Sequence, residues 1–183
     1  MIATIILLNG NSSAGKSAIA KALQNITIEP FLHVAMDAFL DMMPPSMLKD
    51  RDGLVFAPQI VDGKPSCSIT VGPAAARSLS GMRRAMAALA DAGNNLIIDD
   101  VLIDEDAKDY AAALADHRVS WVGVFAPLDI LEQRERQRGD RDIGQARWLS
   151  GRVHAGIRFD LEVDTSRADA ADCATAIKRA FNL

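Results

Sequence analysis

The sequence predicts a doubly wound α/β domain built on a parallel sheet, and three observations carry that prediction. Short β-branched runs recur at Ala3–Leu8, Phe31–Met36, Asn95–Ile98, Ser120–Phe125 and, more weakly, Asp160–Val163. Each is nearly continuously apolar rather than alternating, as in parallel strands covered on both faces. Amphipathic stretches lie between them, and strand–helix–strand alternation is the pattern of a parallel sheet flanked by helices.

Taken in order, the first run enters a Gly/Ser segment and then Ser17–Leu23, where Ile19 and Leu23 stand one helical turn apart. The second run ends at Asp37, and a helix begins at Ala38-Phe39-Leu40. The segment Pro44–Ser68 holds Pro44, Pro45, Pro58 and Pro65 with Gly53 and Gly63, and reads as a long irregular loop or small insertion beside a ligand site. A helix opens at Pro73, repeats Leu79, Met82, Met86 and Leu89, and stops at Gly93, with Pro and Gly as the expected punctuation. Residues 132–158 read as a short helical lid interrupted at Arg138-Gly139-Asp140-Arg141. The last helix spans about Ala168–Phe181, with Ala170, Cys173, Ile177 and Phe181 on one stripe.

Composition bounds the function. A length of 183 residues suits one domain over residues 1–183, burying roughly 70% of the unfolded surface. Lys and Arg number 20 against 24 Asp and Glu, and the net charge of −4 argues against a general binder of nucleic acid or of anionic membranes. Hydrophobic residues at 49% and charged residues at 24% exclude a disordered chain. No apolar run approaches the ~20 residues of a spanning helix. Cys67 and Cys173 are too few for a disulfide framework and read as reduced thiols. The apolar stretch Met1–Leu8 has no basic residue before Lys16, so it reads as a strand rather than a signal, and a cytoplasmic protein is expected.

Gly10-Asn11-Ser12-Ser13-Ala14-Gly15-Lys16-Ser17 satisfies G-x-x-x-x-G-K-[ST] at every fixed position. The glycines let the backbone turn successive N–H groups toward phosphate oxygens, and the helix that follows presents its positive end. Lys16 is placed to reach the β- and γ-phosphates, and the Ser17 hydroxyl to hold Mg²⁺. A chance Gly/Ser turn is disfavoured because the flanking strand and helix are both present. The dinucleotide fingerprint G-x-G-x-x-G fails at Ser12, so the site is one for a nucleoside triphosphate, with ATP and Mg²⁺ as the expected cofactors.

A second acidic signal ends the run Leu96-Ile97-Ile98-Asp99-Asp100. An apolar strand ending in carboxylates places an acid beside the Mg²⁺ of such a loop. Alone, the pattern equally fits an Asp capping the next turn. Neighbours at a strand end point opposite ways, so the metal is assigned to Asp99 or Asp100 without a choice between them.

The chain lacks an Asn-Lys-x-Asp guanine element and the length of a two-domain motor, whereas each further part of a small-molecule kinase has a candidate. Asp37, at the end of the second strand, suits the acceptor-side base; the alternative is an N-cap for the helix that follows. The cluster Arg134, Arg136, Arg138, Arg141, Arg147, Arg152 and Arg158 suits a lid that brings guanidinium groups onto phosphates, with Arg138 and Arg141 as the chosen contacts. A solvated face paired with Glu132 and Glu135 accounts for some of these arginines. Met36, Phe39, Leu40, Met42, Met43 and Met47 read either as core or as the lining of a partly apolar acceptor pocket. His33, His117 and His154 are too scattered for a metal cage; His33 reads as structural, and His154 follows the lid toward the nucleotide.

These residues together resemble chloramphenicol phosphotransferase. The resemblance runs through Ile6-Leu7-Leu8-Asn9-Gly10 into Ser12–Ser17, then Asp37, Ile97-Ile98-Asp99-Asp100-Val101, Trp121-Val122-Gly123-Val124, Arg138-Gly139-Asp140-Arg141, Val153-His154 and Glu162-Val163-Asp164-Thr165. The matches occur in order over almost the whole chain. The resemblance implies a nucleotide-kinase-like P-loop domain with a five-stranded parallel sheet, helices on both faces, and transfer of the ATP γ-phosphate to a hydroxyl of chloramphenicol, an antibiotic-inactivating reaction. It implies Asp37 as general base, Lys16 and Ser17 for phosphates and Mg²⁺, and Arg134 and Arg138 over the nucleotide. Lys49–Ser68 has no counterpart that aligns, and the residues around Asp37 differ in detail, so the transfer machinery carries over better than the acceptor.

The expectation is therefore an ATP- and Mg²⁺-dependent O-phosphotransferase acting on a small, partly apolar alcohol, with chloramphenicol as the acceptor that the resemblance implies. Its rivals are a P-loop kinase for another metabolite alcohol and a nucleotide-binding switch without an acceptor. The apolar helix faces suit a homo-oligomer interface as well as a core.

Overall fold

The computed structural model describes residues 2–103, 105–139 and 142–183. In chain order the elements are β1 (Thr4–Gly10), α1 (Lys16–Ile26), β2 (Phe31–Ala35), α2 (Met36–Leu40), a single 3₁₀ turn at Pro45–Leu48, β3 (Leu54–Val61), β4 (Lys64–Val71) and α3 (Pro73–Asp91). There follow β5 (Asn95–Asp100), α4 (Asp106–Ala113), β6 (Arg118–Phe125), α5 (Leu128–Arg138), α6 (Gln145–Leu149), β7 (Leu161–Asp164) and α7 (Ala170–Phe181).

The five strands read from the sequence form one parallel sheet in the order β2-β5-β1-β6-β7. Their continuous apolarity has a direct cause in the two-residue period of a strand. Ile6 and Leu8 of β1, Ile97 of β5 and Val122 and Val124 of β6 pack with Ile19 and Leu23 of α1 and Cys173 and Ile177 of α7. The intervening Ile5, Leu7, Leu96 and Ile98 pack with Met82, Met86 and Ala90 of α3 and Tyr110 of α4. Helices thus cover both faces, and cutting Ile6 or Leu7 to Ala would cost about 2–5 kcal/mol. The α7 stripe is anchored by Asp169, whose side chain caps the helix by accepting from the Asp172 N–H at 2.9 Å.

The expected irregular segment Pro44–Ser68 is corrected in part. Only its first portion is irregular; Leu54–Val71 is an antiparallel hairpin, β3 against β4, in the register Leu54↔Val71 to Val61↔Lys64. Asp62 and Gly63 turn it with φ of 50° and 71°, the two positive values that a tight two-residue hairpin loop needs. Pro58 and Pro65 break nothing because a two-stranded ribbon leaves each strand an outer edge where a missing N–H costs no ladder bond.

All five parallel strands end at one edge of the sheet. Residues 10–17 follow β1 there, Asp37 follows β2, Asp99 and Asp100 close β5, and Thr165 follows β7. Among the described residues no helix is long and apolar enough to cross a membrane.

Candidate active site

Residues 10–17 form a loop running straight from β1 into α1. Gly10 lies against β6 so closely that a Cβ there would sit 2.5 Å from the Val124 carbonyl oxygen. Gly15, left-handed with φ of 92°, is the N-cap of α1, and among the described residues no side chain caps that helix. The positive end of α1 thus opens on the loop, where an anion is favoured. Lys16, 8% exposed, folds back over the loop and donates to the Gly10 and Asn11 carbonyls at 3.1 Å each.

The two strand-end acids are separated by their partners. The Ser17 hydroxyl donates to Asp99 Oδ2 at 2.6 Å, Lys16 Nζ lies 3.8 Å from Asp99 Oδ1, and His33 Nε2 lies 3.4 Å from Oδ2. Burial by itself raises the Asp99 carboxyl, but the His33 bond, the Lys16 charge and the Ser17 bond outweigh it and hold the group below the usual carboxylate range. Asp100 accepts instead from the Tyr110 hydroxyl at 2.6 Å and from the Val101 N–H at 2.7 Å. Its burial pushes its pKa up to about 6. His33, read as structural, is the third group at Asp99.

A cleft of about 530 Å³ opens over this loop, lined by Ser12, Ser13, Gly15, Lys16 and Ser17 together with Asp37, Asp99, Arg134 and Arg138. Asp37 stands in the first turn of α2, exposed; the N-cap of that helix is Ala35, so the capping alternative does not hold. Arg134 on α5 donates to Thr165 Oγ1 at 2.9 Å and to the Thr165 carbonyl at 2.7 Å. Arg138 lies one turn farther along α5 and lines the same cleft. Arg141 lies outside the described residues.

A second cleft, about 1110 Å³, adjoins the first. Leu54 and Phe56 of β3 and Ile69 and Val71 of β4 line it, with Leu40 of α2, Leu79 of α3 and Trp148 of α6. The two clefts share Ser12, Met36, Asp37, Asp100, Val101 and Arg138. The Met/Phe stripe after β2 is divided between the two readings made of it. Met36 and Phe39 pack against the core, Met36 and Leu40 line the cleft, and Met42 is 67% exposed.

The arginine-rich segment is divided too. Arg147 of α6 pairs with Glu132 of α5, a largely buried contact between two helices rather than a solvated face of one. Glu135 does not pair outward: it is 1% exposed and caps α6, accepting from the Gly144 and Ala146 N–H groups at 2.8 Å each. His154 stacks on Phe125 with ring centroids 4.0 Å apart and meets Phe159 edge-on. Its burial, with the charge of Lys16, lowers its pKa to about 4.

The chloramphenicol phosphotransferase-like family matches residues 3–182. The chain belongs to this family. A protein of Mycobacterium tuberculosis, named provisionally as an O-phosphotransferase (Rv2636), is 31% identical over 97% of this chain and 81% of its own length. Among solved structures the APS kinase CysC of M. tuberculosis, in complex with AMPPNP and APS, superposes with a TM-score of 0.68 at 14% identity, covering 100% of this chain and 99% of that one. The tunicamycin resistance protein of Deinococcus radiodurans superposes with a TM-score of 0.65 at 18% identity, over 99% and 96%. At such identities these two likenesses speak for the P-loop kinase fold alone. As a chloramphenicol phosphotransferase-like protein, the chain is a phosphotransferase of the P-loop kinase type.

Asn9 and Thr165 stand in the segments that carry the resemblance, but no role was read for either from the sequence. Asn9, fully buried, donates to the Val153 carbonyl at 2.6 Å and accepts from the Leu102 N–H at 2.9 Å, strapping two loops beside the phosphate loop. Thr165 bridges Arg134 to the loop by donating from its hydroxyl to the Ala14 carbonyl at 2.9 Å. The hairpin wall had one usable signal, the Asp62-Gly63 pair between apolar runs.

Proposed function

We propose that this phosphotransferase moves the γ-phosphate of ATP onto a hydroxyl of a small, partly apolar molecule, and that chloramphenicol is an acceptor. The observation that carries the reading is the junction of the two clefts at Asp37 and Arg138. A phosphoryl group held over the phosphate loop and a hydroxyl held against the hairpin wall would meet there. The apolar lining from Leu54, Phe56, Ile69 and Val71 suits an acceptor with an apolar body better than a sugar.

In this mechanism the hydroxyl oxygen attacks the γ-phosphorus, the bond to the β-γ bridging oxygen breaks, and ADP leaves. The Asp37 carboxylate aligns the hydroxyl and takes its proton. Lys16 and the N–H groups of the loop hold the β- and γ-phosphates, and Arg134 and Arg138 neutralise charge on the nucleotide from the α5 side, with Arg141 proposed beside them.

Ser17 Oγ and Asp99 Oδ2 are the hard oxygen donors that Mg²⁺ takes together with phosphate and water oxygens. Among the described residues no three acidic, His or Cys side chains are placed to hold a metal ion between them, so such an ion would take most of its ligands from nucleotide and water. Bound there, Mg²⁺ would supply charge neutralisation of the phosphates. Asp100, engaged by Tyr110, would support the strand end rather than ligate.

The test is mass spectrometry of chloramphenicol incubated with the protein, ATP and Mg²⁺, beside Asp37→Ala. The drug should gain one phosphate with the wild type, and the variant should be slower by ~100-fold or more. Drug left unmodified while another alcohol of a panel is phosphorylated would discard the acceptor and keep the kinase. Unchanged turnover in Asp37→Ala would remove that residue from the mechanism.

A further inference from the structure

We infer that Glu135 is a positioning residue that couples the acceptor wall to the phosphate loop through the first turn of α6. The inference rests on the proposal that the hairpin-lined cleft takes the acceptor.

Helix α6 is only five residues long, and so short a helix is not stable by its own hydrogen bonds. Its position is set from outside, at three points. The Glu135 carboxylate accepts from Gly144 N–H with one oxygen and from Ala146 N–H with the other, both at 2.8 Å. The Ala146 carbonyl accepts from the side chain of Asn11, in the phosphate loop, at 2.9 Å. The Gly144 carbonyl accepts from the Cys67 N–H of β4 at 3.0 Å. One residue pair, Gly144 and Ala146, therefore joins α5, the phosphate loop and the acceptor hairpin.

The chemistry of each contact fits a fixed junction. A carboxylate 1% exposed is costly to bury, and here both oxygens are met by converging backbone donors. Gly144 has φ of 105°, and a Cβ on it would lie 2.5 Å from Ser66 Cα and 2.6 Å from the Ser66 carbonyl carbon. Backbone packs on backbone there, leaving the hairpin little room to slide past α6. On α5, Glu135 sits between Arg134, which lines the nucleotide cleft, and Arg138, which lines both clefts. Anything that orders α5 and Asn11 from the nucleotide side is transmitted through Glu135 and α6 to β4. Such coupling between two binding sites is reciprocal, so an acceptor seated on the hairpin would in turn favour the ordered phosphate loop.

Hydrogen exchange with AMPPNP and Mg²⁺ tests the link without needing any acceptor. In the wild type, AMPPNP should slow exchange in the phosphate loop and also in β4, residues 64–71. Glu135→Gln is nearly the same size but presents an NH₂ where one backbone N–H needs an acceptor. It should keep the slowing in the phosphate loop while its transmission to β4 falls about fivefold or more. Gly144→Ala puts a Cβ against the Ser66 backbone and strains the position that donates to Glu135, so it attacks the same junction from the hairpin side and should lose the β4 response in the same way. Exchange in β4 that is indifferent to AMPPNP in the wild type, or that responds equally in both variants, would overturn the inference. If chloramphenicol is not phosphorylated but β4 responds to AMPPNP, the acceptor reading fails and the coupling stands.

Discussion

Ser17 Oγ and Asp99 Oδ2 lie 2.6 Å apart, joining residues 82 positions apart in sequence at the foot of the phosphate loop. Asp100, one residue on, has its carboxylate taken up by Tyr110. The two acids should therefore respond differently to loss of charge. Asp99→Asn is expected to raise the Mg²⁺ concentration for half-maximal turnover and to lower kcat/KM by on the order of 100-fold. Asp100→Asn is expected to keep the wild-type Mg²⁺ requirement. Titrating Mg²⁺ against turnover in both variants checks this, and equal shifts would dissolve the distinction.

Phe56 and Ile69 face each other in the register of the hairpin, and both line the larger cleft. Changing either to Ser withdraws apolar area from an acceptor while leaving the phosphate loop untouched. Loss of about 1.4 kcal/mol of contact would raise the acceptor KM ~10-fold. The KM for ATP should stay within ~2-fold. Steady-state kinetics with each substrate varied in turn would decide, and parallel rises in both KM values would remove the hairpin from the acceptor site.

What was legible in the sequence follows from which information is local. The strands of the sheet were readable because burial on two faces makes every position of Ile5–Leu8 or Leu96–Ile98 apolar, whatever it packs against. The phosphate loop was readable because its chemistry needs only eight consecutive residues. Asp99 and Asp100 were not distinguishable, since the choice depends on Ser17 and Tyr110, which sequence does not bring near them. Helix α4 went unread because it buries one large side chain, Tyr110, and shows little apolar periodicity. Of the two readings of Pro44–Ser68, the small insertion beside the ligand site fits the hairpin and the irregular loop does not, because the weight given to Pro58 and Pro65 hid the Asp62-Gly63 turn between two apolar runs. Glu135 looked like one more acid in an arginine-rich helix; only the approach of α6 makes it a buried cap.

Asn9 meets two backbone groups at once, the Val153 carbonyl and the Leu102 N–H, and both of those residues are 1% exposed. Asn9→Ala would leave a buried acceptor and a buried donor unmet, at about 1–3 kcal/mol each. The melting temperature should drop by roughly 5–15 °C for a chain of this size. Differential scanning fluorimetry reads this directly, and a drop below ~2 °C would mean that water or a shifted loop satisfies both groups.

His154 gives the fold a pH dependence of definite sign. Its ring stacks on Phe125, its Nδ1 is buried with no hydrogen-bond partner among the described residues, and burial with the Lys16 charge lowers its pKa to about 4. An unfolded chain binds the same proton near pH 6.5. Above that pH both states are neutral and the stacked ring contributes fully. As the pH falls from 6.5 toward 4, the unfolded state takes up a proton that the folded state refuses, so stability is lost across that window. His154→Phe keeps a ring on Phe125 and cannot titrate. Relative to the wild type, the variant should therefore gain in melting temperature by at least ~2 °C between pH 7.5 and pH 4.5. Thermal melts of both proteins at several pH values would check it, and a difference that stays constant across the series would show that His154 does not stay neutral in the fold.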